Sequence, residues 1–136
     1  MLIVDPGQLH TAAARNDRDH RSCVEPLSSA PRPILVPELV VTEVAYLLAD
    51  RIGAYAEVAF SRSIADGELV VEPVLDSEWG RVAELVERYA DLPLGMVDAS
   101  VVVLAERHGA EVVATLDRRH FGAVRPRHVC SLTLVP

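Results

Sequence analysis

Lysine is absent: every one of the 13 basic residues in this 136-residue chain is an arginine. That removes P-loop NTPases, phospho-acceptor receiver domains and Schiff-base enzymes, which all depend on a lysine. Aromatic residues make up 4% of the chain, too few for a base-stacking platform of the RRM or OB type. The two cysteines, Cys23 and Cys130, have no C-x-x-C partner, so neither a disulfide framework nor a zinc site is indicated. His10, His20, His108 and His128 form no H-E-x-x-H or H-x-x-x-H pair, and no metal role falls to them. No apolar run approaches the roughly 20 residues that cross a bilayer, and the start MLIVDPGQ lacks the basic and long apolar regions of a signal peptide. A cytoplasmic protein without membrane contact is expected.

What is present is enough apolar material for one core. Half of the residues are hydrophobic, and a chain of this length buries one continuous core but not two, so residues 1–136 read as a single domain. The formal net charge is −7, from 20 acids against 13 bases. Proteins that coat nucleic acid are usually basic. An enzyme of this charge acting on nucleic acid would have to hold it locally, through a bound cation and a few placed arginines.

Short apolar runs alternate with helical patterns. LIVD, PRPILV, ELVVEPV, EVVATL and VCSLTLV read as strands. Helices are expected from about Gln8 to Arg15, weakly toward Ser29 with a bend or stop at Pro26, from Pro37 to Gly53, from Tyr55 to Ala65, from Asp76 through Ala90, and from about Asp98 to His108 with Gly109 as its cap. Such alternation predicts an α/β fold, a three-layer α/β/α sandwich around a central, mainly parallel sheet of four to five strands.

In a parallel sheet, ligands bind beyond the carboxyl ends of the strands, where strand order reverses. Asp5 ends the first strand, Asp117 follows the fourth, and Asp98 opens a helix whose remaining residues, ASVVVLAERH, are too apolar to face water. These three acids are expected on one edge. Glu43 lies inside the third helix, on the narrow face left free by Leu39, Val40, Val44, Leu47 and Leu48. Each aspartate also has a local role open to it: Asp5, Asp98 and Asp117 are all N-cap candidates, and Glu43 can belong to a solvated stripe with Asp50. Two carboxylates about 5 Å apart repel by about 3 kcal/mol at an effective dielectric near 20, so a cluster of four either protonates or captures a cation. With only oxygen ligands, Mg2+ or Mn2+ is favoured over zinc. A water acidified by such an ion is the natural nucleophile on a phosphodiester.

The motifs I-V-D near the start, V-x-E-V-x-Y-L-L in a helix, L-G-M-V-D-A-S at a later helix start and T-L-D-R-R-H-F after a strand, spanning nearly the whole chain in order, resemble the PIN-domain nucleases. The resemblance is to the VapC-like toxins of type II toxin–antitoxin pairs. It implies an endoribonuclease toxin that needs Mg2+ or Mn2+ and hydrolyses RNA such as tRNA or ribosomal RNA by a metal-activated water. It also implies a VapB-like antitoxin partner, a homodimer and a toxin–antitoxin hetero-oligomer. By motif, Asp5, Glu43, Asp98 and Asp117 form the quartet, with Asp5 and Asp98 as direct metal ligands and Glu43 and Asp117 holding waters, a second ion or the general base. Thr115 matches the family's T-x-D and is expected to orient a carboxylate or meet the substrate. Arg118, Arg119 and His120 beside Asp117 are candidate phosphate clamps, with Arg15, Arg18 and Arg21 on the same rim.

One position departs from the family. Where a Thr or Ser hydroxyl usually follows the first aspartate, Pro6 stands, with neither hydroxyl nor N–H. That motivates a second reading, a catalytically weakened PIN-fold module that holds RNA or an antitoxin without cutting. A HAD-type phosphatase expects D-x-D-x-[TV] after the first strand and a later lysine, and the chain has neither.

Overall fold

The computed structural model describes all residues, Met1–Pro136. Five strands, β1 (Leu2–Val4), β2 (Ile34–Pro37), β3 (Val70–Glu72), β4 (Val112–Ala114) and β5 (Thr133–Val135), pair in parallel throughout, in the order β3-β2-β1-β4-β5. Seven helices cover the sheet: α1 (Pro6–Ala13), α2 (His20–Ser29), α3 (Glu38–Arg51), α4 (Ala54–Ala65), α5 (Trp79–Arg88), α6 (Met96–His108) and α7 (Arg118–Ala123). This is the three-layer α/β/α sandwich expected. No helix is long and apolar enough to cross a membrane.

Burial on both faces explains why the central strands are runs and not alternations. Ile3 and Val4 of β1, Val36 of β2 and Val113 of β4 have no exposed surface. In α6, every residue from Ala99 to Ala105 is buried, because this helix packs against β1 and β2 on one side and α3 and α5 on others. Val40, Val44 and Leu48 give α3 its buried stripe at i, i+4 spacing and leave Glu43 beside it on exposed surface.

Several boundaries differ from the sequence reading. The strand patterns overshoot the ladders: ELVVEPV contributes only Val70–Glu72 to the sheet. Pro37 is the last residue of β2 and the cap of α3, not its first helical residue. α2 runs through Pro26 to Ser29 instead of stopping there, the proline lacking only the one N–H that would have reached back a turn. The segment after Asp76 starts as a single 3-10 turn, Asp76–Glu78, with Glu78 Oε1 accepting the Leu75 N–H at 2.8 Å. Asp98 is the third residue of α6 and Gly95 its cap. RRHF, which follows the N-cap candidate Asp117, opens α7.

β1 lies between β2 and β4, and the chain crosses it on the way from β3 to β4. The reversal of strand order therefore falls at the carboxyl ends of β1 and β4, where Asp5 and the segment Thr115–Asp117 emerge.

Candidate active site

Asp5 leaves β1 and caps α1, its Oδ1 accepting the Gln8 N–H at 2.9 Å. Pro6 then occupies the first helical turn, where the missing N–H costs nothing. The other oxygen, Oδ2, accepts the hydroxyl proton of Thr115, which arrives from the end of β4. Asp5 thus has a hydroxyl partner from across the sheet, whereas Pro6 beside it offers none. Thr115 is 1% exposed and its oxygen accepts the Asp117 N–H at 2.8 Å. Of the two roles expected for it, its contacts favour orienting Asp5 and Asp117, and its burial argues against meeting the substrate.

Asp117 caps α7, Oδ1 accepting the His120 N–H at 2.9 Å. Its Oδ2 lies 2.8 Å from Nδ1 of His120. The same Nδ1 is 3.1 Å from Oδ2 of Asp98, and Nε2 is 2.8 Å from the Leu92 carbonyl. His120 therefore turns inward to the acids, and does not reach out as a phosphate clamp. The acids expected as an oxygen-only set thus have one imidazole nitrogen within hydrogen-bond reach. The signal was in the sequence, since a histidine three residues after a capping aspartate on a helix falls over that aspartate.

The charges register their crowding. Burial pushes the Asp5 carboxyl up to about 6, opposed by the hydrogen bonds from Thr115 and Gln8 and reinforced by the charges of Asp98 and Asp117. Asp98 is raised by burial, with His120 acting against it and Asp117 adding to it. Glu43 is raised by partial desolvation and by the Asp98 charge. Electrostatically the four acids are one group, although Glu43 stands apart from the hydrogen-bonded three. A divalent cation fits this set. It would neutralise a carboxyl that burial and neighbouring charge hold at about 6, and the atoms that could hold it are hard oxygens with a single nitrogen.

The arginines are less organised. Arg118 is exposed and its guanidinium donates to the Pro136 carbonyl, while Arg119 is exposed beside it. Arg15 and Arg18 lie in the exposed α1–α2 connection and Arg21 is exposed in the first turn of α2.

Carboxylates gathered at the switch point of a parallel sheet, coupled strongly enough to want a cation, define a class: the α/β proteins that use a metal ion against a phosphate ester. The PIN domain family model matches residues 8–125, and the chain belongs to that family. It is 35% identical over 135 residues to Ribonuclease VapC26 of Mycobacterium tuberculosis, covering 99% of this chain and all of the relative. The crystal structure of M. tuberculosis VapC20, described as a sarcin-ricin loop cleaving toxin, superposes with a TM-score of 0.83 at 21% identity, over 96% of this chain and 99% of that one. FitAcB from Neisseria gonorrhoeae superposes with a TM-score of 0.70 at 14% identity, over 100% and 97%.

Proposed function

We propose that this chain is a divalent-metal-dependent endoribonuclease and the toxin of a type II toxin–antitoxin pair. The observation that carries the reading is the convergence of Asp5, Asp98 and Asp117, with Glu43 in electrostatic reach, at the carboxyl ends of β1 and β4. Full-length similarity to a ribonuclease VapC supports RNA as the substrate, and tRNA or ribosomal RNA is the class proposed.

Asp5 and Asp98 would hold the ion, Mg2+ or Mn2+, with Asp117 beside them. When bound, that ion supplies positive charge against the phosphate and acidifies water it carries. Glu43 is the most exposed of the quartet and has a raised proton affinity. It takes the proton from the attacking water as the new P–O bond forms and the bond to the leaving oxygen breaks. Thr115 keeps Asp5 and Asp117 in register, a burden that would otherwise fall on mobile side chains. Arg118 and Arg119, exposed beside Asp117, meet the flanking phosphates.

The proposed protein partner is an antitoxin. A groove of about 1040 Å³ between α1, α2, α3 and α4 is lined by apolar side chains including Leu9, Leu27, Ile52 and Phe60. Its polar lining includes Arg15, Arg32 and Arg51 against a single acid, Glu68, although the chain as a whole is acidic. An amphipathic segment with acidic flanks fits it. Self-association into a homodimer belongs to the same proposal, and sedimentation of the purified chain reads it directly.

RNA cleavage by the purified chain tests the enzymatic reading. Mg2+ or Mn2+ should support it, excess EDTA should abolish it, and Asp98→Ala should lose at least a hundredfold in rate with its fold retained. Undiminished cleavage in EDTA, or in a folded Asp98→Ala, would overturn it.

A further inference from the structure

We propose that His120 is itself a ligand, through Nδ1, of the cation that Asp98 and Asp117 share, and that this nitrogen tilts the site from Mg2+ toward Mn2+. The inference rests on the metal-dependent reading above and adds to it a donor and a metal preference.

The argument starts at the far side of the ring. Nε2 lies 2.8 Å from the carbonyl oxygen of Leu92, and a carbonyl only accepts, so Nε2 carries a hydrogen. Nδ1 is then the nitrogen turned to the acids, and it can bind a metal once it carries no proton of its own. This is the arrangement by which proteins prepare a histidine to bind metal: the second nitrogen donates to a backbone carbonyl, which fixes tautomer and orientation together. The ring is held at its base too. Its backbone N–H is capped by Asp117 Oδ1 at 2.9 Å, and the next residue, Phe121, is 1% exposed in the core.

That nitrogen faces the acids. Nδ1 is 2.8 Å from Asp117 Oδ2 and 3.1 Å from Asp98 Oδ2, and one ligand atom from each of the three residues lies within 4.8 Å of the others. Atoms that share one ion at about 2.0–2.2 Å sit at separations of about 4 Å or less, so small movements of two carboxylates suffice. Two carboxylate oxygens and a ring nitrogen this close need a positive centre between them, which a proton on Nδ1 supplies in the metal-free chain and a cation can supply in its place. No other imidazole belongs to the cluster.

The choice of ion follows from the nitrogen. Mg2+ demands oxygen ligands and gives up its waters reluctantly, whereas transition ions accept imidazole readily. Among them Mn2+ is also suited to a site with several carboxylates. A cage of acids alone would bind the two ions more evenly.

The test uses the full-length protein with Mn2+ as the probe. Pulsed EPR of the bound ion should show the nitrogen modulation of a coordinated imidazole, and this is read on the unmodified chain. Calorimetric titration of His120→Gln, whose amide can still reach Leu92 but offers nothing at Nδ1, should then show Mn2+ affinity reduced at least tenfold and Mg2+ affinity changed less than about threefold. The nitrogen modulation should vanish in that variant. Mn2+ binding that is lost in Asp98→Asn but shows no nitrogen modulation in the unmodified chain would overturn the assignment of His120 and leave the metal-dependent reading intact. Mn2+ binding unaffected by Asp98→Asn would overturn both.

Discussion

Replacing Asp5 with asparagine should stabilise the metal-free protein at neutral pH while abolishing its cleavage of RNA. Lifting a carboxyl from 3.8 to about 6 means that the folded state holds its proton more tightly than the unfolded chain does. Stability from this group is therefore greatest below pH 4 and falls as pH rises through 6, by about 3 kcal/mol in full. Asparagine cannot ionise and escapes that loss. It also remains a good N-cap, so the bond from Gln8 survives. The hydroxyl proton of Thr115 loses its charged acceptor, which costs about 1 kcal/mol. The net expectation is a gain of about 2 kcal/mol at pH 7.5 in EDTA, or about 6 °C in Tm for a chain of this size. At pH 4 the two proteins should differ little, with the variant slightly the weaker. Thermal and urea unfolding in EDTA at both values measure this. An Asp5→Asn protein less stable than the parent at pH 7.5, or a difference that ignores pH, would refute the reasoning that burial and its acidic neighbours strain Asp5.

Three further perturbations probe the surroundings. Thr115→Val keeps shape but leaves Asp5 Oδ2 and the Asp117 N–H without their partner; a loss of about 2 kcal/mol in urea unfolding and at least tenfold in cleavage rate is expected, and an active variant of parental stability would show that the relay is idle. Pro6→Thr should leave the cleavage rate within about threefold, because Thr115 already serves Asp5 and position 6 stands in the first turn of α1; a tenfold gain would establish a site weakened at Pro6. Ala59→Glu introduces an acid on the exposed lining of the α1–α4 groove. Co-expressed with the product of the neighbouring reading frame, it should fail to co-purify with that product while still cutting RNA, and unchanged capture would move the antitoxin off this groove.

Much of the architecture is legible because it depends on local signals. Apolar runs bounded by turn residues mark five strands, and the alternation with helices dictates their parallel pairing. What the runs do not carry is ladder length: burial extends past the last hydrogen bond, so ELVVEPV overshoots β3. The pairing that matters most, Thr115 with Asp5, joins residues 110 positions apart and leaves no local trace. The turn of His120 toward Asp98 and Leu92 is equally remote, 22 and 28 positions away. Glu43 could be placed only by resemblance, since the position of a carboxylate flanking the buried stripe of α3 is decided by what packs beside it.

Asp5 and Asp117 show why the local and functional readings of those acids looked like rivals. A carboxylate has two oxygens, and in both residues they divide the work. Oδ1 of Asp5 caps α1 and Oδ1 of Asp117 caps α7. Oδ2 of Asp5 meets Thr115, and Oδ2 of Asp117 meets His120. Capping fixes each side chain in one rotamer, which aims the second oxygen at the switch point. The helix starts are therefore the means by which the cluster is preorganised, and a residue can satisfy the capping signal and the metal signal at once. For the same reason alanine is a poor probe at these two positions, because it removes the cap, at about 1 kcal/mol, together with the ligand. Asparagine keeps the cap and changes only the charge and the second oxygen, so any loss of metal affinity in Asp5→Asn or Asp117→Asn can be assigned to the site and not to a frayed helix.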